Sequence, residues 1–436
     1  MSLSRRSFLT WAGATASVAA LGGLSACAGT GGSAAGQEGD GTIKFWSNHP
    51  AKSKDVEQKI IDAWNAANPK TPVQLIDGGA NYEELAQKFN AALTGGQLPD
   101  VIVASDVNWF NFALNGATAP LDDLWTKAGV KPDTYVDTLR EDYKLNGKHF
   151  AMPYARSTNL MYLDNAIFEK AGLDPKVGPA TWQQFAEWAP SIRKANGGKP
   201  VLAIPDGSNY LDWYFQGMIW TFGGHYSRDW TATFTDPKSI EAGKFLQDQV
   251  KQGNIAVSND AVNQFATGGA SALLESTGSL TGLTASAKTP FTTAYLPGPK
   301  PGAATGGAGL SVPAGISEDR KLNAVKFIDF LTNTQNTITF TQATGYMPVR
   351  KDAEADPAEK MYLEQHPNAT TAIRQLNENT QPQDAARVFV QGGGKRIGAA
   401  LDRITIGGED VATVFAQLQD ETQKIIDRDI KPKLSN

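Results

Sequence analysis

The feature that most restricts this chain is a run of short alternating elements with almost no room between them. Ile43 to Trp46 is a brief apolar run with strand character. Ser53 then stands before a segment in which Val56, Ile60, Ile61 and Trp64 recur at helical spacing, up to Asn68-Pro69. Val73 to Ile76 is a second strand and Asp77-Gly78-Gly79 a turn. Asn81, with Glu84 three residues on, is a capping-box-like start for a helix that stops at Gly95-Gly96. Val101 to Ala104 follows as a third strand. Strands joined through helices over connections this short form a parallel sheet with right-handed crossovers. In an open sheet of that kind a ligand sits beyond the carboxyl ends of the strands. The loops at those ends are Ser47 to Pro50, Asp77 to Tyr82 and Ser105 to Asn108, and they contain Tyr82 and Asp106.

Ahead of this sheet lies an address rather than a fold. Arg5 and Arg6 stand in S-R-R-S-F-L, and no further charge appears until Glu38. That is the pattern of a twin-arginine signal peptide over residues 1–26. Ala12 to Leu24 is too diluted by glycine, serine and threonine for a spanning helix, which favours a removable segment. The run L-S-A-C ending at Cys27 resembles a lipobox, in which the cysteine is lipidated and becomes the mature N-terminus. Cys27 is the only cysteine, so no intramolecular disulfide can form. Residues 27–41 then read as the lipidated cysteine and a flexible Gly/Ala/Ser tether.

About 400 residues follow, more than one core accommodates and enough for two lobes. Without Arg5 and Arg6 the chain keeps 38 basic residues against 45 acidic ones, a net charge of −7 that argues against nucleic acid. Nine of the ten tryptophans lie beyond Cys27, a supply of flat faces suited to sugars and organic cations. Asn146-Gly147 reads as a turn before His149 to Pro153. Helices are expected around Ala166 to Ala171, Trp182 to Ala195, Pro237 to Gln252, Lys321 to Leu331, Gln335 to Thr344 and Val411 to Ile426, and further strands at Ala272 to Leu274 and Thr293 to Leu296. Asp206 to Trp230 reads only as a Gly- and aromatic-rich stretch, and Gly302 to Gly309 as a loop.

Reactive chemistry is hard to assemble. His49, His149, His225 and His366 are scattered without metal spacing and read as surface or turn histidines, and there is no G-x-S-x-G elbow. Gly392-Gly393-Gly394-Lys395 fails the phosphate-loop pattern at Phe389 and Arg396 and reads as a flexible loop. Glu83-Glu84 and Asp122-Asp123 are the acidic pairs a secreted hydrolase would need, but both lie in helical contexts where solvated charge is commoner. No enzyme activity, cofactor or metal is expected, and the hydrolase stands as a remote alternative.

The segments N-Y-E-E-L (Asn81 to Leu85), G-G-Q-L-P-D-V (Gly95 to Val101), L-D-N-A-I-F-E-K-A-G-L (Leu163 to Leu173), T-W-Q-Q-F (Thr181 to Phe185) and A-V-K-F-I-D-F-L-T (Ala324 to Thr332) resemble the extracellular solute-binding proteins of ABC importers, the sugar-binding family that includes maltose-binding protein. Within it, N-Y-E-E, S-T-G-S-L (Ser276 to Leu280), T-G-Y-M-P (Thr344 to Pro348) and A-T-T-A-I-R-Q-L (Ala369 to Leu376) more narrowly resemble receptors for sn-glycerol-3-phosphate and glycerophosphodiesters such as glycerophosphocholine. The resemblance implies an α/β, two-lobed periplasmic-binding-protein-like fold with a cleft between the lobes. It also implies a small polar solute, delivery to permease subunits, and a monomer. A neutral sugar is the alternative ligand.

The lobes would comprise residues 42–141 with 314–350, and residues 142–313 with 351–436. About three hinge crossovers are expected, near Leu139 to Lys144, Leu310 to Pro313 and Met347 to Asp352. On the same resemblance Tyr82, Asp106 and Ser157 match contacts to glycerol, and Tyr210 and Trp213 match aromatic contacts. Ser276, Gly307, Tyr346 and Arg387 match the phosphate side, with Thr277 the alternative to Ser276 and Arg396 the alternative to Arg387.

Overall fold

The alternating opening folds as its pattern predicts. The structure, a computed structural model, describes residues 36–434, so Arg5, Arg6, Cys27 and most of the tether lie outside the described residues. β1 (Ile43–Ser47), α1 (Lys54–Ala67), β2 (Val73–Asp77), α2 (Tyr82–Leu93) and β3 (Val101–Ser105) follow one another. β1 pairs in parallel with β2 on one side and β3 on the other. The stripe Val56, Ile60, Ile61 and Trp64 is the buried face of α1. At the start of α2 the Asn81 side chain accepts the Glu84 N–H at 2.9 Å, while the Glu84 carboxylate accepts the N–H of Ala80 at 2.8 Å, one residue ahead of the usual box partner.

Beyond this unit come β4 (Met152–Asp164), β5 (Leu202–Pro205), α3 (Leu211–Thr221), β6 (Ile255–Ser258), β7 (Ala272–Ser276), β8 (Phe291–Ala294), β9 (Ala303–Ser311), β10 (Thr380–Gln381), α4 (Ala385–Val388) and α5 (Gly393–Thr405). The strands join one sheet in the order β6-β5-β7-β4-β9-β3-β1-β2, with β8 paired to β4 and β10 to β9. β4 runs antiparallel to β7, β8 and β9, and β9 antiparallel to β3. Two apolar cores flank this sheet. One gathers Phe45, Ile61, Phe89, Phe327 and Val349, the other Phe185, Phe215, Phe234, Leu246 and Phe415. β4 and β9 feed both: Tyr154 and Leu310 enter the first core, Met161, Leu163, Ala303 and Ala304 the second. The result is a two-lobed α/β fold whose halves are spliced by two long strands.

Several elements depart from the expectation. Gly302 to Gly309 is not a loop: residues 303–309 lie within β9, where glycine lets the strand pass close to its neighbours. A Cβ on Gly306 would lie 2.4 Å from the Trp213 indole, and one on Gly307 1.9 Å from the Ala155 carbonyl oxygen. Gly393-Gly394-Lys395 is the first turn of α5 rather than a flexible loop, with Gly392 at the N-cap in the left-handed region that suits glycine. The aromatic stretch contains α3, whose residues Leu211 to Trp220 are all buried. The strand expected at Thr293 to Leu296 lies two residues earlier, as β8. His149 is buried, not superficial. Its Nδ1 lies 2.8 Å from Asp122 and its backbone N–H donates to the same carboxylate at 2.9 Å.

The crowding of β9 yields a stability prediction. Gly307 has φ of +108°, so Gly307→Ala meets both an unfavourable backbone region and the Ala155 carbonyl. It should lower unfolding stability by about 2 kcal/mol or more in urea denaturation. A variant as stable as the parent would mean that β9 is not wedged in this way.

Candidate functional site

The segments that follow β1, β2 and β3 meet at one cavity, beyond the carboxyl ends of the strands as the topology leads one to expect. Ser105, Asp106 and Val107 leave β3 there, and Tyr82 opens α2. Ala51 arrives on a loop in which His49, Ala51 and Lys52 all take positive φ, near 52°, 52° and 59°. That loop is pinned by Glu57, which sits 2.6 Å from His49 Nδ1 and accepts the Ser47 and Tyr154 hydroxyls at 2.8 and 2.9 Å. Ser157 lies on β4, Tyr210 and Trp213 at the start of α3, and Ser276 at the end of β7. Gly307 on β9, Tyr346, and Arg387 on α4 complete the set.

These groups enclose one cavity of about 210 Å³. All nine residues named from the sequence line it: Tyr82, Asp106, Ser157, Tyr210, Trp213, Ser276, Gly307, Tyr346 and Arg387. The alternatives lie elsewhere. Thr277 is fully buried and its hydroxyl accepts the Thr158 N–H at 3.4 Å, while Arg396 is on α5 and donates to Glu421 at 3.1 Å. The sequence reading missed Tyr214, Glu275, Gly306 and Gln383. Glu275 directly precedes Ser276, and Gln383 lies four residues before Arg387, just ahead of α4. Their neighbours were the only signal available.

Charge is closely managed around the cavity. Asp106 Oδ1 accepts Arg156 Nη1 at 2.5 Å and Oδ2 accepts Gln383 Nε2 at 2.9 Å. Arg156, fully buried, also donates to Asp142 at 2.6 Å. One guanidinium thus serves two carboxylates. Burial pushes Asp142 up to about 6 despite the opposing pull of Arg156. At the other end Arg387 Nε lies 2.6 Å from Asp212, and Arg387 Nη1 donates to Gln383 Oε1. Burial raises the Asp212 carboxyl against the pull of Arg387.

Glu275 is likewise raised by burial, although it accepts the Tyr214 hydroxyl at 2.6 Å and the Ser276 N–H at 2.8 Å. Burial pushes the Tyr346 phenol up to about 12. Trp213 lies over Gly306 and donates from Nε1 to the Thr305 carbonyl at 3.1 Å, and Tyr210 donates to Glu83 at 3.0 Å. The cavity is therefore lined by the Asp106 and Glu275 carboxyls, the Arg387 guanidinium, serine hydroxyls and aromatic side chains. Among the described residues no cluster of three or more His, Cys, Asp or Glu could hold a metal ion.

Comparison with known proteins agrees with this architecture. A family model described as a bacterial extracellular solute-binding protein matches residues 59–371. The sn-glycerol-3-phosphate-binding periplasmic protein UgpB of Escherichia coli (strain K12) is 27% identical over 354 residues, 77% of this chain and 80% of that protein. The crystal structure of UgpB from Mycobacterium tuberculosis in complex with glycerophosphocholine is similar at 47% identity with a TM-score of 0.87, covering 90% of this chain and 100% of that one. The GacH receptor of Streptomyces glaucescens, solved unliganded and with acarbose, has a TM-score of 0.76 at 18% identity over 89% of this chain and 98% of that one, a likeness of fold alone.

The raised carboxyl of Asp142 gives a pH prediction. A group whose folded pKa, about 6, lies above its unfolded value of 3.8 favours folding most when protonated, so its contribution is lost as pH rises through that window. The parent should lose stability relative to Asp142→Asn between pH 4 and 7 in parallel denaturation series. A constant difference across the window would contradict the assignment.

Proposed function

Because the chain belongs to the bacterial extracellular solute-binding protein family, a family of ABC-importer receptors and not enzymes, we propose that its solute is sn-glycerol-3-phosphate or a glycerophosphodiester such as glycerophosphocholine. The observation that carries this reading is the polarity of the cavity. Asp106, as a carboxylate, accepts hydrogen bonds from glycerol hydroxyls at one end. Ser276, the Gly307 backbone, Tyr346 and Arg387 surround a phosphate at the other, where a guanidinium gives charge-assisted bonds. Burial raises the Glu275 carboxyl above its ordinary range, and its Oε1 is taken up by the Tyr214 and Ser279 hydroxyls and the Ser276 N–H. Tyr82 and Ser157 add contacts to glycerol, and Tyr210 and Trp213 supply the apolar walls. The 47% identity to a protein crystallised with glycerophosphocholine supports the same ligand class.

The two lobes, residues 42–141 with 314–350 and residues 142–313 with 351–436, close on the solute. Closure is favoured to the extent that the solute touches both lobes, which is all a ligand can contribute to such an equilibrium. The N-terminal segment directs twin-arginine export. Lipidation of Cys27 then holds the receptor on the outer face of the cytoplasmic membrane beside its permease subunits, as a monomer.

Calorimetry of the mature domain should show binding of sn-glycerol-3-phosphate or glycerophosphocholine in preference to maltose; binding of maltose alone would defeat the phosphate reading. Removing Arg387 by itself would leave Asp212 buried and unpaired, so the informative variant is Arg387→Ala with Asp212→Asn. It should weaken the phosphate ligand by about 30-fold, or ~2 kcal/mol, while preserving the fold. Unchanged affinity would remove Arg387 from the site. Cys27→Ser should move the exported protein from the detergent phase to the aqueous phase in phase partitioning, and retention in detergent would contradict the anchor.

A further inference from the structure

Gln383 bridges two charged groups of the cavity, Asp106 and Arg387. Its Nε2 donates to Asp106 Oδ2 at 2.9 Å and its Oε1 accepts from Arg387 Nη1. The amide therefore shows the carboxylate a donor and the guanidinium an acceptor, the polarity that a hydroxyl and a phosphate oxygen present. On the far side of this bridge lies a second cavity of about 500 Å³, and Asp106 and Gln383 are walls of both. Strand alternation explains the division, since Ser157 faces the first cavity and Arg156, its neighbour on β4, faces the second.

The second cavity has the chemistry of a polyol site. Asp142, Thr305, Thr380 and Gln381 bring hydrogen-bonding groups to its walls, and Trp109 brings a flat apolar face. Arg156 Nη1 and Nη2 hold Asp106 and Asp142 at this wall, so the carboxylates there are already oriented. A solute anchored by phosphate at Arg387 and by hydroxyls at Asp106 would extend into this space if its carbon chain continued past three carbons. The Gln383 amide stands in the way.

We propose that Gln383 is a specificity-determining residue that partitions one longer groove, holds the receptor to three-carbon polyol phosphates, and keeps longer polyol phosphates out of the second compartment. This rests on the glycerophosphate reading. Shortening the side chain opens the partition, so the preference between short and long solutes shifts even where overall affinity falls.

The test is calorimetry on the full mature domain with sn-glycerol-3-phosphate and D-sorbitol 6-phosphate as probes, for the parent, Gln383→Ala and Gln383→Asn. The parent should bind the first and reject the second. Gln383→Ala should move the affinity ratio at least tenfold toward the hexitol phosphate. Gln383→Asn keeps the amide one methylene shorter, so it should fall between the two, and it carries the test if the alanine variant fails to fold. An unchanged ratio in folded variants, including equal loss of both ligands, would overturn the partition while leaving the ligand class intact. A parent that binds both probes equally would also overturn it. A parent that does not bind sn-glycerol-3-phosphate would overturn this inference, and one that does not bind glycerophosphocholine either would overturn the ligand reading as well.

Discussion

A single guanidinium out of reach of water organises the centre of this receptor. Arg156, midway along β4, faces Asp106 at 2.5 Å and Asp142 at 2.6 Å, and its Nη1 also donates to the Tyr143 hydroxyl at 2.7 Å. Burying such a charge costs several kcal/mol, and that cost is offset only by close and well-shaped partners. The partners come from separate parts of the chain: Asp106 from the turn after β3, Asp142 from the segment before the Lys144–His149 hairpin. Because β4 is common to both cores, the pairing holds the cavity carboxylate at the point where the two lobes are spliced. The Asp106 carboxylate is therefore held in one orientation at the cavity wall.

The same economy of charge governs the opposite end. Arg387 is paired with Asp212, and Gln383 links it to Asp106 through one amide. Before any solute arrives, the carboxylate has a donor and the guanidinium an acceptor. Groups held in place in this way limit the ordering cost of any association at the cavity. Aromatic side chains complete the enclosure without adding charge: Tyr346 stacks on Phe340 at 5.9 Å, and Trp213 packs edge-on to Tyr214 at 5.0 Å.

Much of this was legible in the sequence because the opening lobe follows simple rules. Its helices are amphipathic, its strands are short, and the loops after its strands must share one edge, so Tyr82 and Asp106 could be placed by topology alone. Ser157, Tyr210, Trp213, Ser276, Gly307, Tyr346 and Arg387 could not. They were named by resemblance, and the structure gathers them around the cavity from segments that are remote in sequence.

What stayed illegible was buried on every side. α3 is buried on every side, Asp212 and Gln216 included, and so shows no 3.6-residue apolar stripe. β4 carries Arg156, Ser157, Thr158 and Asn159 in its middle, with both faces covered, so it lacks the alternation of a half-exposed strand. β9 reads as a loop because its glycines make room for Trp213 and the β4 backbone, a need set by neighbours distant in the chain. Gln383 and Arg156 have their meaning only in partners that folding brings to them.

The most direct test of the account is a crystal structure of the mature domain with sn-glycerol-3-phosphate bound. The account predicts phosphorus density within hydrogen-bonding reach of the Arg387 guanidinium and the Ser276 hydroxyl, with a glycerol oxygen against Asp106. A ligand lying with its phosphate toward Asp106, or held away from the junction of the two cores, would contradict it.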